Sequence, residues 1–328
     1  MTEDALLHHA AAAAAAPPIS DRDHLRTTYV IEAILSFAGN LLFIGIFFYT
    51  ARVFHWGPVR NFLLAASQGA VYVIASLLSE KLAKAMGNRR LLIAANLALA
   101  AVSLVGVLAH DHRVLTAAII TFVPLMALNW PVLESASAAN ADPHTMSRQI
   151  GMYNLIWAGT GALAVAVQGT ILKIDPRGVF FLPLLIHLTI VVLILKTRGY
   201  GEPVAGPAAP RPHLDPEPAL QRQGTVALWL SRIALPSTYV VIYSLSALMP
   251  LLPVMKPLDP TAQTAVGSIW MVSRWLMFWL LGATVFWHTR PRLLLVAAIV
   301  MGTSFVGVTA SWGLGGMIAS QVLLGASL

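Results

Sequence analysis

Long apolar runs constrain this sequence more than any other feature. A helix that crosses a lipid bilayer needs about 20 consecutive apolar residues. Ten runs near or above that length occur, at 28–50, 58–79, 91–109, 114–137, 150–172, 178–195, 226–252, 262–287, 293–311 and 313–328. Charged residues make up only 11% of the chain, whereas soluble domains carry roughly 25%. The sequence therefore predicts an all-α integral membrane protein.

One stretch between the sixth and seventh runs cannot cross a membrane. It contains six prolines between Pro203 and Pro218 together with charges of both signs. Proline interrupts the hydrogen bonds that a helix needs in lipid. We interpret 197–225 as a solvated cytoplasmic linker. It separates a six-helix bundle at 28–196 from a partial bundle of about four helices at 226–328.

Residues 1–27 are predicted to form a disordered cytoplasmic tail. The alanines at 10–16 are too short and too weakly apolar a run for the core of a signal peptide, and no basic segment precedes them. A metal site at His8 and His9 has no third ligand nearby in the sequence. We therefore expect no metal to be bound there.

The distribution of Lys and Arg predicts the orientation of the chain. With a cytoplasmic N-terminus, thirteen of these residues lie in inner segments and six in outer ones, which satisfies the positive-inside rule. Most of the Lys and Arg residues behind the net charge of +7 lie in short segments between the apolar runs. They form no basic face that could bind nucleic acid. Cysteine is absent, and so is a G-x-x-x-x-G-K-[ST] phosphate loop. We expect no cofactor and a location in the plasma (inner) membrane.

The loop between the second and third runs carries a recognisable pattern. Residues 80–90 read E-K-L-A-K-A-M-G-N-R-R, and they resemble the G-x-L-A-D-R-x-G-R-R motif of the major facilitator superfamily. Three residues match it in kind: Gly87, Arg89 and Arg90. Glu80 and Lys84 stand in place of its glycine and its acidic residue. A weaker echo, at 288–292, occupies the corresponding loop of the second half.

This resemblance extends from about Thr27 to the last residue and includes the layout of the spans. It implies two parallel structural repeats that rock about a central site, giving a small solute access to each side in turn. It also implies a gating role for Gly87, Arg89 and Arg90. Members normally have twelve spans, so we expect a first bundle of six helices and four of an expected six in the second.

Charged side chains inside predicted spans are the main candidates for a site, because each costs about 2.5–3.5 kcal/mol at the centre of a membrane helix. Arg274 lies near the middle of the eighth run. It is expected either to bind an anionic group of a substrate or to pair with a carboxylate. The resemblance places this run against the fifth, where Arg274 would face Asn154, Trp157 and Gln168. The candidate substrate-binding set also includes Asn40, Tyr239 and Tyr243.

Two acidic residues are the candidate proton-coupling groups. Glu32 begins a partly polar helical face that includes Ser36. Glu134 follows Pro131, which is expected to kink the fourth span. Each has a structural alternative: Glu32 in a salt bridge near the inner membrane surface, and Glu134 in an ion pair with Arg148.

The leading hypothesis is secondary active transport of a small polar or anionic solute by alternating access, coupled to protons. A ten-helix drug or metabolite exporter is an alternative, but that fold would divide after its fifth span. A membrane enzyme such as an acyltransferase is another, with His187 or the His-Asp-His cluster at 110–112 as base. For His187 we favour a structural role. The sequence does not indicate whether the protein is a monomer or an oligomer.

Overall fold

The computed structural model describes residues 21–138, 143–201, 218–284, 290 and 292–328. These residues form α-helices joined by turns and short loops, as the predicted all-α class requires. Several predictions concern residues outside the described ranges: the tail up to residue 20 with His8 and His9, the proline-rich part of the linker at 202–217, and most of the echo at 288–292.

The helices fall on either side of the linker. The first half consists of α1 (Asp21–Phe43), α2 (Ile46–Val53), α3 (Pro58–Met86), α4 (Asn88–Leu108), α5 (His112–Ala127), α6 (Trp130–Ala138), α7 (Pro143–Ile174) and α8 (Gly178–Lys196). The second half consists of α9 (Pro218–Leu248), a 3-10 turn (Met249–Leu251), α10 (Pro260–Gly267), α11 (Ile269–Gly282), α12 (Arg292–Thr309) and α13 (Leu314–Ser327).

Nine helical segments of the described chain are long and apolar enough to cross a membrane. They correspond to the first nine predicted runs, which confirms those predictions. Three of them are each built from two successive helices: α1 with α2, α5 with α6, and α10 with α11. The tenth run forms α13, a shorter apolar helix of 14 residues.

The break between α5 and α6 follows from a proline. The ring of Pro131 clashes with the carbonyl group four residues earlier and removes a helical hydrogen bond. That earlier residue is Ala127, where α5 ends, and α6 begins at Trp130 after a turn at 128–129. The predicted kink is therefore present, just before Pro131.

At one end of the bundle, the turn between α3 and α4 lies against the end of α8. This end, which carries Gly87 and Thr197, is the predicted inner end. Gly87 has a φ of +83°, which side chains rarely allow. Arg89 donates from Nη1 to the carbonyl oxygens of Thr197 (2.8 Å) and Tyr200 (3.2 Å), and from Nη2 to that of Leu195 (3.4 Å). Because the last carbonyls of a helix lack partners and attract cations, Arg89 ties this turn to α8.

Tyr200 belongs to the predicted linker but is fully buried. The Tyr200 hydroxyl lies 3.1 Å from Thr28 Oγ1. Thr28 donates its own hydrogen bond to the His24 carbonyl at 3.0 Å, so Tyr200 is the donor to Thr28. Burial raises the pKa of Tyr200 to about 12, so the hydroxyl stays protonated. The prediction of a solvated linker does not hold at Tyr200, because its aromatic side chain packs against α1, whereas Arg198 in the same segment is exposed.

Replacing Tyr200 by alanine should lower the thermal stability of the protein markedly. Loss of a fully buried aromatic side chain costs about 3–5 kcal/mol, and here it also removes the contact between 197–201 and α1. The measurement is thermal unfolding of the purified full chain in detergent. Arg90→Ala is the control, because Arg90 is exposed and surface changes stay within about 0.5 kcal/mol. Equal melting temperatures for the two variants would show that the Tyr200 contact adds nothing.

Candidate functional site

Four ionisable side chains from the two halves interact by long-range electrostatics, with no hydrogen bond or ion pair joining them among the described residues; they are here called the central cluster: Glu32, Glu134, Tyr239 and Arg274. Glu134 lies within electrostatic range of both Glu32 and Tyr239. Tyr239 lies within electrostatic range of Arg274. Because Tyr239 and Arg274 lie beyond the linker, the cluster bridges the two halves. All four were candidate site residues in the sequence.

Glu32 is a fully buried carboxyl group in α1. Tyr153 of α7 donates a hydrogen bond to Oε2 at 2.8 Å, and Ser36 donates a short hydrogen bond to Oε1. The ion pairs among the described residues are Lys84–Glu80 and Lys173–Asp259, so the alternative of a salt bridge at Glu32 does not hold there. A carboxylate buried without a cation is costly when charged. Glu32 is therefore a buried group that a proton can neutralise.

Glu134 is exposed on α6, immediately after the helix break. Besides Glu32 and Tyr239, the hydroxyl groups of Tyr72 and Tyr153 lie within its electrostatic range. No ion pair joins Glu134 to Arg148 among the described residues. The carboxylate of Glu134 is thus accessible to water and within electrostatic range of Glu32 and Tyr239.

Arg274 is buried in α11, with 9% of its surface exposed. Its Cζ atom lies 4.2 Å from the centroid of the Trp157 ring and 5.4 Å from that of Phe278. The approach of α7 to α11 that the resemblance implied is therefore present. The guanidinium group forms no hydrogen bond and no ion pair with any described residue. The predicted alternative of a carboxylate partner is not found in this part of the chain.

Two predicted members of the substrate set lie elsewhere and make other bonds. Gln168 donates from Nε2 to the carbonyl oxygen of Gly45 at 2.7 Å, and it lies about 16 Å along the helix from Trp157. Asn40 donates to the Ser36 carbonyl at 2.8 Å and packs against Gly161. The prediction that Gln168 faces Arg274 is wrong, because its amide contacts the Gly45 carbonyl at the break between α1 and α2, which also accepts from the Phe48 amide at 3.0 Å.

Asn154 lies one helical turn before Trp157 on the same face of α7. It is half-buried and forms no hydrogen bond with a described residue. Of the three α7 residues predicted to face Arg274, Trp157 therefore makes the contact and Asn154 lies next to it.

Four aromatic residues form a second group, here called the aromatic cluster: Phe43, Tyr72, Trp130 and Tyr243. The Phe43 ring centroid lies 5.2 Å from that of Tyr243 and 5.9 Å from those of Tyr72 and Trp130. The Tyr243 hydroxyl is buried and has no hydrogen-bond partner. Tyr243 was predicted as a site residue, whereas the other three were not, because aromatic residues are frequent throughout the spans.

His187 lies in a buried polar network inside the first half. Its Nδ1 lies 2.9 Å from Asn96 Oδ1, and Asn96 donates to Asn129 Oδ1 at 2.7 Å. This supports the structural role favoured from the sequence, since the network joins α4 and α8 to the break before α6. In the 110–112 cluster, His110 accepts from Arg177 at 2.8 Å and His112 stacks on Phe54.

The candidate gating residues lie at the inner end, away from the central cluster. Gly87 forms the turn and Arg89 binds the end of α8, whereas Arg90 is exposed. Lys84, which replaces the acidic residue of the motif, pairs with Glu80 at 2.6 Å. Both partners are exposed, and such pairs contribute little.

At the opposite end, the predicted outer end, the two halves are in close contact. The Gly169 amide donates to Thr264 Oγ1 at 2.9 Å, and a Cβ atom at Gly169 would lie only 1.8 Å from the Pro260 carbonyl oxygen. Asn61 of α3 donates to the Ala247 carbonyl of α9 at 3.1 Å. The two halves therefore touch at this end, and the contact at Gly169 leaves no room for a larger side chain.

The sequence matches a family model described as Major Facilitator Superfamily over residues 28–328. No curated protein matches it.

Several solved structures share the fold at low sequence identity. A D-xylose–proton symporter has a TM-score of 0.65 at 14% identity, over 94% of this chain and 80% of that one. A bacterial homolog to the human lysosomal transporter Spinster, inward-facing and unoccupied, has the same score and identity over 94% and 72%. The nucleoside transporter NupG has a TM-score of 0.64 at 11% identity, over 93% and 79%.

Proposed function

The chain belongs to the major facilitator superfamily, and from that premise we propose that it is a secondary active transporter that moves a small anionic solute together with protons. The observation that carries this proposal is the buried guanidinium of Arg274, which has no ion partner among the described residues. A buried charge without a partner is destabilising. A bound anion would supply the missing partner, which supports a substrate role for Arg274.

Glu32 and Glu134 are the proposed proton-coupling groups. Glu32 is buried beside two hydroxyl donors, and Glu134 is accessible within its electrostatic range. A proton that reaches Glu134 from water has a second carboxyl group close by. This arrangement supports uptake of a proton at the exposed residue and its retention at the buried one. The solved D-xylose–proton symporter with the same fold is consistent with proton coupling.

Alternating access is supported by the difference between the two ends. At the predicted outer end the halves touch at Gly169 and Thr264, beside a cavity of about 530 Å³ lined in part by Trp56 and Leu248. At the predicted inner end a cavity of about 660 Å³ lies between α1 and α7 of the first half, lined in part by Arg22, Asp23 and Arg26. We propose that this is an inward-facing state, with the N-terminus and the linker in the cytoplasm. The family assignment favours this function over the ten-helix exporter and the acyltransferase.

A disulfide across the outer end should block transport. The hydroxyl oxygens of Thr170 and Thr261 lie 3.3 Å apart on α7 and α10, which leaves the two β-carbons at most about 6 Å apart, so that a small shift brings them to the separation that a disulfide requires. The chain has no cysteine of its own, so the double variant Thr170→Cys, Thr261→Cys has no competing thiol. Uptake should stop on oxidation and return on reduction, while each single variant stays insensitive. Full activity of the cross-linked protein would contradict outer-end opening.

The proposed function is tested in liposomes that contain the full-length protein and an internal pH dye. A panel of small organic anions is added outside, one at a time, without an imposed gradient. We expect at least one anion to carry protons inward and acidify the lumen, and neutral analogues of the same size to have no effect. If no anion moves protons and no pH gradient drives anion uptake, the proposed function is wrong.

A further inference from the structure

We propose that the transported anion is an aryl carboxylate, which combines one carboxylate with a planar aromatic ring. This inference rests on the proposed function and specifies the substrate class of the same site. Two features carry it: the free in-plane donors of Arg274, and the aromatic cluster with its unpartnered hydroxyl group.

The surroundings of Arg274 favour a planar oxyanion. The Cζ atom of Arg274 lies 4.2 Å from the centroid of the Trp157 ring and 5.4 Å from that of Phe278, so aromatic rings pack around the group. Its five N–H donors point outward in the plane of the guanidinium, and no described residue accepts from them. A carboxylate matches this fork with two parallel hydrogen bonds, whereas a spherical anion does not.

The aromatic cluster provides an apolar surface for the body of the substrate. Phe43, Tyr72 and Trp130 come from the first half and Tyr243 from the second, so a ring bound among them contacts both halves. On α9, Tyr243 lies one turn beyond Tyr239, a rise of about 6 Å, and Tyr239 lies within electrostatic range of Arg274. A carboxylate joined to one aromatic ring has a comparable length. It can therefore contact Arg274 at one end and the aromatic cluster at the other.

The charges at the inner cavity fit an anion. Arg22 and Arg26 line this cavity together with Asp23, and the excess of positive charge attracts anions. In the aromatic cluster, the buried Tyr243 hydroxyl lacks a partner and can donate to a single acceptor on a substituted ring.

The test measures the affinity of the purified full chain for four matched compounds. 3-Phenylpropionate is compared with 3-cyclohexylpropionate, which lacks the planar ring, with 3-phenylpropanol, which lacks the charge, and with L-phenylalanine, which adds an ammonium group. We expect 3-phenylpropionate to bind about tenfold or more tightly than 3-cyclohexylpropionate and 3-phenylpropanol, as loss of ring stacking or of a charged bidentate contact implies. L-phenylalanine keeps both groups and reports only whether the site accepts an added ammonium group. Equal or tighter binding of 3-cyclohexylpropionate or 3-phenylpropanol would overturn the inference.

Two variants test the same contacts. Arg274→Lys keeps the charge but loses the fork, and it should raise the Kd for 3-phenylpropionate about tenfold or more. Arg232→Lys is the matched control, because Arg232 lies 5.1 Å from the Trp229 ring at the exposed surface; its Kd should stay unchanged. Tyr243→Ala should weaken binding of 3-phenylpropionate and leave that of 3-cyclohexylpropionate nearly unaltered. Melting temperatures identify any variant that fails to fold, and the wild-type comparison does not depend on the variants.

The liposome assay separates the two proposals. If 3-phenylpropionate and 3-cyclohexylpropionate drive proton entry equally, the substrate class is wrong and the proposed function stands. If neither they nor any other anion drives proton entry, the proposed function is wrong and the inference falls with it.

Discussion

Replacing Glu32 by glutamine is expected to uncouple solute movement from the proton gradient. Glutamine has nearly the same shape and its oxygen can accept one of the two hydrogen bonds, from Ser36 or from Tyr153, but it cannot bind and release a proton. If one proton accompanies each solute, each pH unit of gradient supports about a tenfold accumulation. In Glu32→Gln the accumulation ratio should fall to about one, while exchange of labelled for unlabelled solute continues.

Glu80→Gln is the control for this experiment. Glu80 is an exposed carboxylate paired with Lys84 at the inner end, so its loss should leave accumulation unchanged. Wild-type accumulation by Glu32→Gln would remove Glu32 from the proton pathway. In that case Glu134→Gln becomes the decisive variant, because Glu134 is the other carboxyl group of the central cluster.

Replacing Arg274 by glutamine should change binding and stability in opposite directions. Loss of hydrogen bonds from a charged donor to the substrate costs about 2 kcal/mol, which corresponds to an increase in Kd of about thirtyfold. Yet the same change removes a buried charge that has no ion partner among the described residues, so the melting temperature without substrate should rise. The two measurements are anion binding and thermal unfolding of the same purified protein.

Arg232→Gln serves as the control, since its guanidinium also lies over a tryptophan ring but at the exposed surface. It should alter neither quantity. A fall in the melting temperature of Arg274→Gln, together with unchanged binding, would show that Arg274 is a structural residue held by Trp157 and Phe278.

The spans and their division were predictable because the bilayer imposes a length and a composition on every crossing helix. The meeting of Arg274 with Trp157 was also foreseen, since the layout of the family places the fifth span against the eighth. In contrast, the partners of Gln168 and Asn40 could not be predicted. Gln168 meets the Gly45 carbonyl only because α7 packs against the break at 44–45. Asn40 bonds to Ser36 within α1 and packs closely against Gly161.

Two further features depend on tertiary contacts that no local pattern encodes. Tyr200 follows a polar, glycine-containing segment, and only its packing against Thr28 and His24 distinguishes it from a solvated residue. The aromatic cluster joins residues that are far apart in sequence, such as Phe43 and Tyr243. Aromatic side chains occur throughout the spans, so their frequency gave no indication of which ones meet.

The most direct test of the account is a simultaneous measurement of proton and solute fluxes in the same liposomes. Labelled 3-phenylpropionate is added to vesicles that contain the wild-type protein, Glu32→Gln or Arg274→Gln. We expect label and protons to enter together with the wild type, label to exchange without proton entry in Glu32→Gln, and both fluxes to fall steeply in Arg274→Gln at a label concentration near the wild-type Kd. Entry of label without protons in the wild type, or unchanged fluxes in both variants, would contradict the account.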